Sequence, residues 1–261
     1  MHLELTGKSV IVCASSAGLG RATAMEFARE GARVMLCGRR EAELKNVVRE
    51  IEATGGQARY VVADLTKPAD IERLVDGTVS AFGGIYALVN NSGGPPAGTF
   101  VQFDDAAWQS AFELNLLSFV RVTRHALPHM RQGKGGRIVN FASTSVKSPI
   151  DNLILSNTFR TAVMGFSKTL AGEVGREGIL VNVLGPGRVQ TARIEQLDGI
   201  RASKAGVSVE TIRAETSNAI PLGRYGLPEE FARAAVFLGS PANTYITGQT
   251  LLVDGGMVKA Y

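Results

Sequence analysis

Short apolar, β-branched runs alternate along this chain with longer segments whose apolar residues recur at helical spacing. Residues 9–13 (S-V-I-V-C), 33–37, 58–63, 87–90, 137–141, 180–184 and 249–253 read as strands. Helical patterns occupy 18–30, 41–53, 69–82, 104–131, 156–174 and 228–238; in the second, Leu44, Val47, Val48 and Ile51 share one face. Pro228 followed by Glu229 and Glu230 suits a helix start. The strands are apolar throughout rather than half polar, so both faces of their sheet must be covered. The pattern predicts an α/β fold: a doubly wound parallel sheet flanked by helices on both faces, with ligands at the carboxyl ends of its strands. No repeat, low-complexity run or linker divides the chain, which reads as one domain over 1–261. Residues 190–220 form one long polar insertion, expected to be a substrate lid. There Arg193, Arg201, Lys204 and Arg213 are matched by Glu195, Asp198, Glu210 and Glu215, so the lid reads as neutral.

Composition excludes several classes. With 45% hydrophobic and 20% charged residues, the 261-residue chain is an ordinary globular protein. Its 28 Lys+Arg against 24 Asp+Glu are interspersed, with no basic-aromatic stripe, so no nucleic-acid partner is expected. Cys13 and Cys37 end apolar runs and read as small buried side chains in adjacent strands. Their spacing fits neither a metal site nor a disulfide framework, and no metal is expected. A strand begins almost at the first residue, without a signal-peptide pattern, and no apolar run reaches membrane-spanning length. A cytoplasmic location with no membrane partner is the expectation.

The first strand runs into C-A-S-S-A-G-L-G, residues 13–20, and then a helix. Glycines at such a turn let the backbone approach a pyrophosphate that the helix N-terminus favours. Ala14, Ser15, Ser16, Gly18, Leu19 and Gly20 are therefore candidate cofactor contacts. The turn resembles the Thr-Gly-x-x-x-Gly-x-Gly of short-chain dehydrogenases/reductases, a Rossmann-type family, with Cys13-Ala14 in place of Thr-Gly. Ala14 adds only a methyl, which the turn accommodates if its φ is negative.

Further motifs follow in that family's order over nearly the whole chain. Asp64-Leu65 resembles the pair whose Asp receives the adenine amino group. Asn90-Asn91-Ser92-Gly93 resembles Asn-Asn-Ala-Gly, which lies along the adenosine ribose and stabilises the central strand. Asn115, in E-L-N-L-L, matches the helix Asn of the catalytic tetrad. Pro186-Gly187-Arg188-Val189-Gln190-Thr191 resembles Pro-Gly-x-Val-x-Thr, whose Val backbone and Thr hydroxyl hold the nicotinamide carboxamide. The tail from P-L-G-R-Y-G-L-P-E-E to Y-I-T-G-Q-T-L-L-V-D-G-G is similar to the 3-oxoacyl-[acyl-carrier-protein] reductase branch. Cofactor choice follows from charge. After strand two come Gly38-Arg39-Arg40, with no carboxylate before Glu41. A carboxylate there would accept hydrogen bonds from the ribose of NAD, whereas guanidinium groups bind the additional phosphate of NADP. NADP(H) is favoured over NAD(H).

The catalytic stretch departs from the family. G-R-I-V-N-F-A-S places Ser143 as the serine that orients the carbonyl, and thirteen residues on stands Ser156, then Arg160, where the family has Tyr and Lys. No tyrosine lies between Tyr86 and Tyr225. In the family the Tyr donates a proton, the Lys lowers its pKa and holds the ribose, and the Asn holds a relay water. An aliphatic hydroxyl is a far weaker and shorter acid, and a guanidinium stays protonated, so Arg160 can hold the cofactor's ribose or polarise an oxygen but cannot relay protons as the Lys does. Halohydrin dehalogenases keep Ser and Tyr with Arg and abandon the nucleotide loop; this chain has the reverse pattern, so dehalogenation is not expected.

Three readings stay open. One is an NADP(H)-dependent oxidoreductase acting on a 3-oxoacyl compound, a small ketone or the corresponding alcohol. In it Ser143, Asn115 and Ser156 hold a water and Arg160 stabilises the developing oxyanion. The second is a cofactor-binding protein without turnover, a sensor or partner subunit. The third takes its acid from the substrate or from another chain, for which Lys259 and Tyr261 in the M-V-K-A-Y tail are candidates. Arg188 either recognises an anionic part of the substrate or faces solvent or a lid carboxylate such as Glu195. The rigid G-G-P-P at 93–96 should border the cleft. The resemblance implies a homotetramer through 104–131, 156–174 and 228–253.

Overall fold

Every residue of β1 (Ser9–Val12) is buried, because apolar side chains leave it in both directions. Val10 and Val12 pack on one side with Phe27, Leu44 and Phe231; Ile11 and Cys13 pack on the other with Leu74, Ala126 and Leu170. A strand buried on both faces belongs inside a parallel sheet. The computed structural model describes residues 2–260 and contains that sheet. Its other strands are β2 (Arg33–Gly38), β3 (Gln57–Val62), β4 (Ala87–Asn90), β5 (Gly136–Phe141), β6 (Ile179–Pro186) and β7 (Thr250–Val253). All pair in parallel, in the order β3-β2-β1-β4-β5-β6-β7.

Helices α1 (Gly18–Arg29), α2 (Glu41–Ala53) and α9 (Pro228–Leu238) supply Phe27, Leu44 and Phe231 to the first face. Helices α3 (Pro68–Phe82), α5 (Ser118–Gln132) and α6 (Ile154–Val174) supply Leu74, Ala126 and Leu170 to the second. Full burial of each large side chain contributes roughly 1.5–3 kcal/mol. Phe141 and Phe231 meet edge to face, centroids 4.8 Å apart, and tie β5 to α9. The chain leaves β1 toward β2 and β3, then returns to place β4 on the other side of β1. The connections diverge there, so a crevice opens above the carboxyl ends of β1 and β4.

Three local features differ from expectation. Residues 104–131 are not one regular helix: α4 (Asp105–Phe112) passes through a π turn, Glu113–Leu117, into α5. The wider turn accompanies an inward Asn115, whose amide bonds to the β4 loop; such turns often serve functional residues. The 190–220 insertion is helical, as α7 (Ala192–Ala205) and α8 (Val209–Ala219). Polar composition hid helices with ordinary punctuation: Thr191 and Ser208 accept from Ile194 N and Thr211 N, and Gly206 ends α7 at φ +67°. Ala14 has φ +47°, not a negative value. This left-handed conformation disfavours any side chain by about 1–2 kcal/mol.

Ala14→Gly should therefore stabilise the protein by about 0.5–1 kcal/mol. The relieved strain exceeds the roughly 0.5–1 kcal/mol of added unfolded-chain freedom. Urea denaturation measures it; an unchanged or lower midpoint would show that Ala14 is not strained.

Candidate active site

The turn above β1 is built by close approach. A Cβ on Gly20 would stand 2.3 Å from the Ala14 carbonyl oxygen, so only glycine lets α1 begin against the turn. Asn91 Nδ2 donates to the carbonyls of Cys13 and Ala14, each at 3.3 Å, and binds the end of β4 to it. Ser15 is buried and its Oγ accepts from Cys37 N at 3.0 Å, so this hydroxyl is committed to β2. A Cβ on Gly38 would stand 3.3 Å from Ser16 Oγ. Leu19 packs against the first core face. The first turn of α1 carries no acidic side chain, and its N-terminal N–H groups point into the crevice mouth with Gly18. Thr191 comes within 3.8 Å of where a Gly18 Cβ would be, closing the crevice from the β6 side. This glycine cradle, with no acidic side chain in the first turn of α1 and with Arg21 beside Glu195 and Glu229 at its outer rim, fits a dinucleotide diphosphate.

Beyond β2, Arg40 pairs with Glu43 at 3.3 Å, while Arg39 is exposed and makes no ion pair among the described residues. Of the two arginines, Arg39 is the one free to receive a phosphate. Asp64 Oδ1 accepts from Thr66 N and Oγ1 at 3.0 and 2.8 Å. Burial raises the Asp64 pKa, but those bonds and the nearby Arg39 and Lys67 charges outweigh it and hold the carboxyl below its ordinary value. Leu65 is buried behind it. On the far side, Pro186 ends β6, and a Cβ on Gly187 would stand 2.6 Å from Asp254 Cα. Val189 is buried and bridged to Gly226, which anchors the loop before α7.

At the inner end of the crevice, Asn115 and Arg160 converge on Ser92. Asn115 Nδ2 donates to Ser92 Oγ at 2.9 Å and to Gly93 O at 2.7 Å; its Oδ1 is buried without a partner among the described residues. Arg160 stands one turn after Ser156 on α6 and is only 5% exposed. Its Nη1 donates to Phe141 O at 2.9 Å, and its Nη2 lies 3.4 Å from both Ser92 O and Ser92 Oγ. Guanidinium has five N–H donors; three bonds leave two unspent. No carboxylate lies within ion-pair range among the described residues, and the other cation partner is the Phe119 ring at 5.8 Å. Burial, then the Arg193 charge, push the Arg160 pKa down to about 10, which leaves it protonated at neutral pH.

Ser143 Oγ caps a short turn by accepting from Ser145 N at 3.1 Å. Ser156 is half-buried, and its hydroxyl makes no hydrogen bond among the described residues. The structure thus joins Asn115, Ser92 and Arg160 directly, while the hydroxyls of Ser143 and Ser156 stay outside that cluster. Ser92 as the meeting point escaped the sequence reading. The signal was present: Ser stands where the resembling motif has Ala, in the same chain that has Arg at 160.

Arg188 does not pair with Glu195. It reaches Asp198 at 3.4 Å, a fully buried carboxylate that also accepts from Tyr225 Oη at 2.9 Å; Glu195 pairs with Arg213 at 3.5 Å instead. The residue that reaches the β4 loop is Arg193, whose Nη2 donates to Pro95 O at 2.7 Å. In the tail, Lys259 is exposed, and Tyr261 lies outside the described residues. Among the described residues no helix is long and apolar enough to cross a membrane, and no cluster of His, Cys, Asp or Glu could hold a metal.

Comparison with known proteins agrees with this geometry. A family model described as Enoyl-(Acyl carrier protein) reductase matches residues 13–258. The 3-oxoacyl-[acyl-carrier-protein] reductase FabG of Thermotoga maritima is 32% identical, over 98% of this chain and 100% of its own. L-sorbose reductase from Gluconobacter frateurii, solved with NADPH and L-sorbose, superposes with a TM-score of 0.95 at 33% identity over the whole of both chains. A 7α-hydroxysteroid dehydrogenase solved with NADH and 7-oxo glycochenodeoxycholic acid gives 0.89 at 31% identity, over 98% of this chain and 96% of that one. The whole fold thus has full-length counterparts, and the chain belongs to the short-chain dehydrogenase/reductase family.

Proposed function

We propose that this protein is an NADPH-dependent carbonyl reductase in which Arg160, rather than a tyrosine acid, faces the charge that develops on the substrate oxygen. The observation that carries the reading is the buried guanidinium at the inner end of a dinucleotide crevice, with two donors unspent and no carboxylate beside it among the described residues. NADPH supplies the hydride when bound. Gly18 and Gly20 admit its diphosphate to the start of α1, Arg39 receives the additional phosphate, and Asp64 the adenine amino group. Val189 and Thr191 hold the carboxamide side, with Pro186 and Gly187 setting the turn beneath. Ser143 orients the carbonyl, and a protonated Arg160 stabilises the oxyanion in a low-dielectric setting where such a charge counts most. Asn115 and Ser156 position the water that delivers the proton: the buried Asn115 Oδ1 lacks a partner, and the Ser156 hydroxyl is free among the described residues. The reductase and dehydrogenase relatives support a substrate of the 3-oxoacyl or ketone class. Exposed Tyr245 (96%) and Leu251 (46%), before and on the edge strand β7, support assembly into a homotetramer through the 228–253 region.

The main test is NADPH consumption against β-ketoacyl thioesters and small ketones, with NADPH and NADH binding read separately by fluorescence. NADPH should bind at least tenfold tighter than NADH, and Arg39→Ala should remove most of that difference; equal affinities would defeat the cofactor assignment. Binding without consumption of NADPH would instead support a sensor or partner subunit. In a folded, NADPH-binding protein, Ser156→Tyr with Arg160→Lys should raise turnover, by up to about 10²–10⁴ where general acid is limiting. No gain would show that the pocket limits the chemistry. Arg160 also makes a prediction about stability. Its folded pKa lies below its unfolded one, so its charge opposes folding at neutral pH, and the penalty fades as pH rises through about 10. Arg160→Met should therefore stabilise the ligand-free protein by about 1–3 kcal/mol at pH 7, with a smaller gain above pH 10. A less stable variant at pH 7, in urea denaturation, would show that the guanidinium is already compensated.

A further inference from the structure

Four consecutive residues, Ser92 to Pro95, carry two guanidinium groups. Arg160 Nη2 lies at Ser92, Asn115 binds Gly93 O, and the Arg193 guanidinium lies 3.1–3.4 Å from where a Gly94 Cβ would stand. Arg193 Nη2 donates to Pro95 O at 2.7 Å and its Nη1 to Gln196 Oε1 at 2.9 Å. Three extended residue steps span at most about 10–11 Å, so both cations sit on one short loop at the crevice. Neither has a carboxylate within ion-pair range among the described residues, although the same α7–α8 segment pairs Arg213 with Glu195 and Asp198 with Arg188. The absence of a carboxylate partner is therefore local to the loop after β4, not general to the segment or to the outer rim of the crevice, where Glu195 and Glu229 lie. Arg193 stands in the first turn of α7, two residues after Thr191, and extends to the opposite wall at Pro95. A Cβ at 94 would crowd it by a few tenths of an ångström, so glycine there gives it room.

Two like charges sharing a partly desolvated loop disfavour each other. Burial lowers the pKa of Arg193, and its charge contributes to the lowering at Arg160. One bound anion removes both penalties. A carboxylate matches the planar donor fork of a guanidinium, and its burial opposite that fork gives shorter, stronger bonds than a neutral carbonyl would.

We propose that Arg193, with Arg160 behind it, binds a carboxylate of the substrate, so that this site takes oxo acids in preference to neutral ketones or esters. The proposal rests on the reductase reading for the word substrate, but not for the anion site itself. The same guanidinium chemistry could serve a phosphate of the cofactor, and the test separates the two.

Acetoacetate, levulinate and benzoate are titrated against their methyl esters by thermal shift and calorimetry, in the presence and absence of NADP⁺. Arg193→Gln and Arg193→Lys are run beside the unmodified protein. At least one acid should bind ten or more times tighter than its ester. Arg193→Gln should erase that preference while leaving the NADPH Kd within about twofold, and Arg193→Lys should retain part of it. Acids that bind no better than their esters, with or without NADP⁺, overturn the proposal. So does a tenfold loss of NADPH affinity in Arg193→Gln, which would assign the guanidinium to the cofactor phosphates. A protein that prefers acids but does not bind NADPH would defeat the reductase reading alone.

Discussion

The contact between Gly20 and the Ala14 carbonyl sets where the rest of the crevice can lie. Because α1 starts directly against the turn, its free N–H groups, the end of β4 and the loop after β6 all face one space. Ser15 and Asn91 secure that arrangement from either side, each by bonds between a side chain and backbone. Such bonds satisfy backbone groups that a loop would otherwise leave unpaired. The left-handed Ala14 is a consequence: the chain must turn sharply there, and a methyl is tolerated where no side chain would be easier.

Chemistry at the inner end depends on a different constraint, a charge kept away from water. Arg160, buried with no carboxylate beside it among the described residues, carries a charge that opposes folding. Ser92 makes its position tenable, since the hydroxyl can accept from both Asn115 and Arg160 where the methyl of an alanine could not. The two departures at 92 and 160 form one physical unit. The same unit explains why the π turn matters: a regular helix through 113–117 would carry the Asn115 amide elsewhere.

The 190–220 segment shows how charge counting fails in three dimensions. Its cations and anions balance along the chain, yet Asp198 turns inward to Arg188 and Tyr225, outside the set of pairs that balance assumed. That leaves Arg193 over the β4 loop with a carbonyl and an amide oxygen as its partners. A segment neutral in sum therefore puts Arg193, without a carboxylate partner among the described residues, at the loop after β4, while its Glu195 lies at the outer rim beside Gly18 and Thr191.

Strand positions, the two-sided core and the glycine turn were legible in the sequence, because each depends on local pattern. Apolar runs in 9–13 or 137–141 have no alternative to burial on both faces, and G-L-G after a strand has few uses other than close approach. The missing tyrosine between Tyr86 and Tyr225 was equally plain, being a matter of residue types alone. The sign of φ at Ala14, the π turn at Asn115 and the helices in 190–220 were not legible. They answer to contacts with residues distant in the chain, or to capping by side chains that polar composition conceals. Pairing was the least legible. Ion pairs and donor–acceptor choices depend on distances of a few ångströms between segments brought together only by the sheet. Tertiary structure alone therefore decided that Arg188 pairs with Asp198, that Arg160 has no carboxylate partner among the described residues, and that Arg193 reaches the loop after β4.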